Sequence, residues 1–221
     1  GKKIAKVLVI HPQTTAWTLF DNDKNEGLDQ LNQRILDVMA SLEGKHIAYH
    51  LGDETIMERH ARVENGKIII GLQEYDTIIT PVGDVMLDNT IKLLDEFKKS
   101  GGRICGVEDL ESNDVTDRCD ITYLKREYDD FSAHYFVNSS DERKVARINV
   151  SGKAMNIYTG ELEDFSPEYE FEPWGSLMVI EEYAFYDCSG FADFHIPARV
   201  LSIGAYTMRR TEVTSFSLGS K

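Results

Sequence analysis

The chain has 221 residues, 42% hydrophobic and 28% charged, an ordinary globular composition with room for one large domain or two small ones plus an appendage. Its net charge of −14 argues against a nucleic-acid partner, because phosphate binding needs clustered Lys and Arg, and disfavours an anionic membrane surface. The charge is compatible with neutral sugars, cations or basic proteins, and no apolar run approaches ~18 residues, so no membrane span is expected.

Gly1-Lys2-Lys3 reads as a processed or engineered start without a signal peptide. Lys6-Val7-Leu8-Val9-Ile10-His11-Pro12 is a short apolar run ended by proline, the pattern of a buried parallel strand. Leu28, Leu31, Ile35, Leu36, Val38, Met39 and Leu42 recur at helical spacing, with Gly44 as the stop. His46 to Leu51 reads as a second strand, followed by Asp53 and Glu54 at a strand-to-helix junction and a short helix to Arg62. Asn65-Gly66 is a turn signal, and Lys67 to Gly71 is a short strand beyond it. Tyr75 to Pro81 is a core strand, residues 86–99 a helix stopped by Gly101-Gly102, and Arg103 to Val107 a further buried strand. Strands alternating with helices predict a parallel sheet with helices on its faces, a small doubly wound, flavodoxin-like domain over residues 1–127.

After residue 128 the pattern becomes all-β. Ala133–Asn138, Lys144–Val150, Ala154–Tyr158, Glu168–Phe171 and Ser176–Ile180 are short strands separated by polar turns and by Pro173-Trp174-Gly175. They predict a small antiparallel β-sandwich over 128–180. The last part, 181–221, repeats itself together with the residue before it. Ile180-Glu181-Glu182-Tyr183-Ala184-Phe185 returns 23 residues on as Ile203-Gly204-Ala205-Tyr206-Thr207-Met208. Phe191 to Pro197 returns 22 residues on as Val213 to Gly219. A period of roughly 20–29 residues is that of leucine-rich solenoids, whose units bury their apolar faces only by stacking.

On Ile180, Ala184-Phe185-Tyr186, Cys188-Ser189, Phe191, Phe194, Ile196-Pro197, Val200 and Ser202-Ile203-Gly204 this segment resembles the BspA-like leucine-rich repeat family. In the second copy Met208 and Thr211 replace the pattern's Phe and Cys. The resemblance implies a bacterial, often surface-exposed protein that binds proteins or glycans through its repeats. A second resemblance covers residues 6–180. Val7 to Pro12 with Ala16-Trp17, Leu51-Gly52-Asp53-Glu54 and Lys98 to Arg103 look like the class I glutamine amidotransferase-like, or trimerisation, domain of large glycoside hydrolases. Tyr135 to Asp141, Tyr158-Thr159-Gly160-Glu161 and Phe171 to Leu177 resemble the β-sandwich that closes such enzymes. The catalytic barrel of those enzymes is absent. The resemblance therefore implies a non-catalytic accessory or oligomerising region, exported to the periplasm or cell surface, with carbohydrate or another protein as partner and a homo-oligomer as its state. A surface repeat protein and a stand-alone hydrolase are the alternatives.

The residues offer few reactive groups. Cys105, Cys119 and Cys188 form no C-x-x-C pair, and an odd number cannot close a disulfide framework. A nucleophile elbow needs Gly two residues to either side; Arg103 and Val107 flank Cys105 instead, so a core cysteine is the simpler reading. His46, His50 and His60 lack metal spacing, Gly101-Gly102 precedes a strand and is no phosphate loop, and no cofactor or metal is expected. His11 and Trp17 follow the first strand and stand either as cleft residues or as a strand cap and a packed ring. Asp53 and Glu54 stand either as an acid–base pair or as a helix cap and a residue favoured by the helix dipole. Tyr158 and Trp174 stand either as sugar-stacking rings or as sandwich core. The candidate carbohydrate-contacting set is therefore His11, Trp17, Asp53, Glu54, Tyr158 and Trp174.

Overall fold

The computed structural model describes residues 2–21, 25–80, 85–182, 193–196 and 215–218 of a mixed α/β chain. It divides into two compact units, Ile4–Asp114 and Gly1–Lys3 with Val115–Lys221. Strand β1 (Lys2–Lys3) belongs to the latter. The unit Ile4–Asp114 runs β2 (Val7–Ile10), α1 (Gln13–Leu19), α2 (Glu26–Gly44), β3 (Tyr49–Gly52), α3 (Glu54–His60), β4 (Ala61–Glu64), β5 (Lys67–Ile70), β6 (Gln73–Tyr75), β7 (Thr77–Ile79), α4 (Asp88–Lys99) and β8 (Arg103–Cys105).

Four of these strands form a parallel sheet in the order β3-β2-β7-β8. Every side chain of Val7–Ile10 is buried, because β2 is central and both faces of the sheet are covered. Val7 and Val9 pack with Ile35 and Leu42 of α2, Ile79 and Leu110. Leu8 and Ile10 point the other way and pack with Met57 of α3, Leu94 and Phe97 of α4, Ile68, Tyr75 and Ile78. Each such side chain contributes about 1.5–3 kcal/mol on burial, so the run of four is enough to fix β2 as the spine of the unit.

Several boundaries differ from those expected, each for a local reason. Helix α2 ends at Gly44, the expected stop, but the left-handed residue that closes it is His46, at φ 55°. The Ile47 N–H reaches back to the Leu42 carbonyl at 2.9 Å and the His46 N–H to Glu43 at 2.9 Å, a Schellman closure that delays β3 to Tyr49. Helix α3 ends at His60, and β4, β5 and β6 form an antiparallel sheet before the chain returns to the core. The Asn65-Gly66 turn joins β4 and β5 with both residues at positive φ, the requirement of a type I′ hairpin. The single strand expected from Tyr75 to Pro81 is broken at Asp76, antiparallel β6 before it and parallel β7 after it; Pro81 lies outside the described residues.

The second unit contains β9 (Thr122–Glu127), β10 (Phe131–Val137), β11 (Lys144–Arg147), β12 (Lys153–Met155), β13 (Leu162–Glu163), β14 (Glu168–Phe171), β15 (Ser176–Glu182), β16 (Asp193–Ile196) and β17 (Ser215–Leu218). Six strands form an antiparallel sheet in the order β1-β9-β10-β15-β12-β13, and β11 pairs with β14. Phe136, Leu177, Val179 and Ala154 from the large sheet, Ala146 and Phe171 from the small one, and Ile121 and Ile148 make one buried cluster. Strand β9 had no expected counterpart: Tyr123, Lys125 and Glu127 alternate with Thr122, Leu124 and Arg126, and neither set is uniformly apolar.

Strands β16 and β17 pair in parallel, with Asp193 beside Ser215 and Ile196 beside Leu218, a register of 22 residues. That is the offset read from the sequence for the second half of the repeat. The remaining repeat positions, including Ala184-Phe185-Tyr186, Cys188 and Ile203-Gly204, lie outside the described residues.

Candidate functional site

In the parallel sheet the chain leaves β2 toward β3 on one side and returns to β7 on the other. The carboxyl end of β2 is therefore a topological switch point, where the crossovers part and leave a crevice. His11 stands there, its N–H donating to the Gly52 carbonyl at 2.9 Å. Of the side-chain polar atoms buried among the described residues, His11 Nδ1 has no hydrogen-bond partner.

Asp53 and Glu54 follow β3 at the same sheet end. Asp53 Oδ1 accepts the Ile56 N–H at 2.9 Å, which makes it the N-cap of α3, and Oδ2 accepts from Gln13 Nε2 at 2.8 Å. Those bonds, the Ile56 N–H foremost, hold its carboxyl below the usual carboxylate range, with a smaller contribution from the charge of His11. Glu54 is 1% exposed. Its Oε1 accepts from Thr14 Oγ1 at 2.6 Å and its Oε2 from the Leu87 N–H at 2.8 Å. The Thr15 hydroxyl donates to the Val85 carbonyl at 2.9 Å and takes the Val85 N–H at 3.2 Å. The loops after β2, β3 and β7 are thus tied together by one buried carboxylate and one threonine.

Both carboxylates serve the fold: Glu54, closed off from solvent, accepts a bond at each oxygen, and Asp53 caps α3 and accepts from Gln13. A general acid or base must reach a substrate proton, which burial denies Glu54. Together they tie the loops at the crevice, where His11 Nδ1 is without a hydrogen-bond partner. Cys105, at the end of β8, is half-buried, and burial raises its thiol pKa, the opposite of what a thiolate nucleophile requires.

The three aromatic candidates are elsewhere. Trp17, on α1, is 66% exposed, so it does not pack. Tyr158 and Trp174 belong to the other unit, at 92% and 68% exposure, so the sandwich-core reading of both is corrected. The structure therefore brings His11, Asp53 and Glu54 together, and leaves the rings on the surface.

One polar cluster escaped the sequence reading. His134 on β10 is buried, with Nδ1 2.9 Å from the Tyr123 hydroxyl and Nε2 3.2 Å from Glu181 Oε2. Ser151 Oγ donates to Glu181 Oε1 at 3.0 Å. The serine meets the carboxylate and not the imidazole, so the order of a nucleophile triad is missing. The signal was a polar residue at an inward position of an alternating strand; Glu181 was masked by its place in the repeat. Among the described residues no group of three or more His, Cys, Asp or Glu is placed to hold a metal ion. Among them, too, no helix is long and apolar enough to cross a membrane.

No protein-family model matches the chain, and no curated protein matches it. Solved structures do. A GH42 β-galactosidase from G. stearothermophilus, Gan42B, aligns over 81% of this chain with a TM-score of 0.53 and 10% identity, and its E323A catalytic mutant does so with a TM-score of 0.57 and 10% identity. A rhamnosidase from Novosphingobium sp. PP1Y aligns over 62% of this chain and 20% of its own, with a TM-score of 0.48 and 11% identity. This chain spans 40% of the β-galactosidase chain. At such identity the likeness is one of fold: most of this chain has the fold of part of a glycoside hydrolase.

Proposed function

We propose that this chain is a non-catalytic accessory region of the kind carried by large glycoside hydrolases, with carbohydrate contact and self-association as its roles. The observation that carries the reading is the fold likeness over 81% of this chain to two-fifths of a β-galactosidase. The sheet order β3-β2-β7-β8, second-first-third-fourth along the chain, supports a flavodoxin-like, amidotransferase-like module. The engagement of Glu54 and Asp53 speaks against the stand-alone hydrolase. The parallel pairing of β16 and β17 at the repeat offset favours BspA-like leucine-rich repeats as a third module, and export to the cell surface accompanies that reading.

The test is incubation of the purified chain with an aryl β-galactoside and soluble β-1,4-galactan, with products followed by chromatography. We expect no turnover at any pH from 4 to 8. Galactose release that survives D53N and disappears in H11A would overturn the accessory reading and install the crevice as an active site.

A further inference from the structure

The sandwich unit displays two aromatic rings at one end of its large sheet. Strand β12 runs antiparallel to its neighbour β15, so the turn leaving β12 and the segment entering β15 fall at the same end. Tyr158 is in the first and Trp174 in the second. Neighbouring strands are ~5 Å apart, so the two turns are within the span of one short oligosaccharide.

Both turns are built rather than loose. The Asn156 carboxamide oxygen accepts the N–H groups of Tyr158 at 2.9 Å and Thr159 at 3.2 Å. Trp174 is held at φ 57°, a region that bulky side chains avoid. Its N–H donates to the Ser140 carbonyl at 3.0 Å, and the Gly175 N–H to Glu172 at 2.9 Å. Behind it Asn138, fully buried, donates from Nδ2 to the carbonyls of Glu142 at 2.7 Å and Glu172 at 3.0 Å. The fold thus holds a tryptophan in a backbone conformation that costs roughly 1–3 kcal/mol and leaves its ring in water. Neither the strain nor the exposure contributes to the sandwich core.

The surroundings select the ligand. Residues 161–172 carry six acidic side chains, against which stand Arg143, paired with Glu170 and Glu172, and Lys153, paired with Asp164, so the balance stays negative and disfavours an anionic ligand. Carboxylates are acceptors for hydroxyl donors, and an aromatic face suits the C–H face of a pyranose ring. Resting on the accessory reading above, we propose that the Tyr158 and Trp174 turns form a stacking site for a neutral glycan chain.

Trp17 and Trp174 are the two tryptophans, so W17F leaves Trp174 as the sole indole reporter. Soluble β-1,4-galactan titrated into W17F should shift its emission to the blue, saturably and without dependence on salt. In native gels containing galactan the parent chain should be retarded, and in gels containing polygalacturonate it should not. W174N, which tolerates the left-handed backbone, and Y158A should each weaken binding about tenfold with unchanged far-UV circular dichroism, a loss of ~1.4 kcal/mol. Absence of retardation and of any emission shift would overturn the proposal. So would quenching by poly-lysine in place of galactan, or self-association that W174N abolishes, either of which assigns the rings to a protein contact. Galactose release in the same samples would overturn the accessory reading alone, since binding and turnover are read separately.

Discussion

Glu54 offers the sharpest test of how the crevice is held. Replacing it with alanine removes the acceptor for the Thr14 hydroxyl and for the Leu87 N–H, two donors that then face a site closed to water. A buried donor left unsatisfied costs about 1–3 kcal/mol, so the pair amounts to about 2–6 kcal/mol before any cavity term. E54Q is a finer probe. Its amide oxygen can keep the Leu87 N–H while the Thr14 hydroxyl turns to accept from the amide nitrogen, so only the charge assistance is lost, about 1–2 kcal/mol. Among the described residues every α-helix belongs to the unit Ile4–Asp114, so ellipticity at 222 nm in urea follows that unit. With a slope of roughly 1–3 kcal/mol per molar urea, E54Q should lower the midpoint by about 0.5–1 M and E54A by at least twice as much. A midpoint for E54A within about 0.2 M of the parent would refute the claim that this carboxylate ties the three loops.

Two further outcomes follow from the same unit. Asp53 has a depressed folded-state pKa, so its charge contributes stability that is complete above the unfolded carboxylate value near pH 4 and is lost as pH falls through the lower folded value. D53N keeps a competent N-cap, so helix α3 should persist while the acid limb of the urea midpoint, followed from about pH 5 down to about pH 2, becomes shallower than in the parent. At the end of α4, a Cβ on Gly102 would fall 2.2 Å from the ring of fully buried Phe97, whereas one on Gly101, at φ 95°, meets nothing within 4 Å. G101A should cost about 1 kcal/mol of backbone strain and G102A more, about 1–3 kcal/mol of overpacking or beyond, both read from the same urea curves.

The parts of the fold legible in the sequence were those set by apolar periodicity. Val7–Ile10, the Leu31–Ile35–Leu42 face and the Leu94–Phe97 face each declared a core position, and Asn65-Gly66 declared a turn, though not the strand β4 before it that makes the turn a hairpin. Where the period was mixed the reading failed. Strand β9 alternates partly polar residues on both faces, and the break at Asp76 lies inside a run that looks uniformly β. The stop at Gly44 was legible, but the left-handed position that closes the helix lies two residues on at a histidine, which the glycine rule does not anticipate. The crevice was legible as a location, since residues after parallel strands are where crossovers part. The role of Glu54 was not, because its partners Thr14 and Leu87 are 40 and 33 residues away and neither has a marked residue type.

The two buried carboxylates and the exposed rings divide the chemistry of the chain between them. Glu54 ties three loops in one unit, and Glu181 joins His134 to Ser151 in the other; each is shut from solvent, and each has both oxygens engaged. A buried carboxylate so engaged is costly to disturb and is closed to a substrate by the surrounding protein, so both contribute to the stability of their units. Trp17, Tyr158 and Trp174 have the opposite character: large apolar area left in water, with Trp174 held against its backbone preference. An exposed ring contributes little to folding, so the free energy it has to offer is released only when a ligand covers it. The proposed glycan site thus sets the surface turns against the acidic residues that first suggested catalysis, and loss of glycan retardation in W174N, set beside its persistence in E54Q, is the outcome that separates the two.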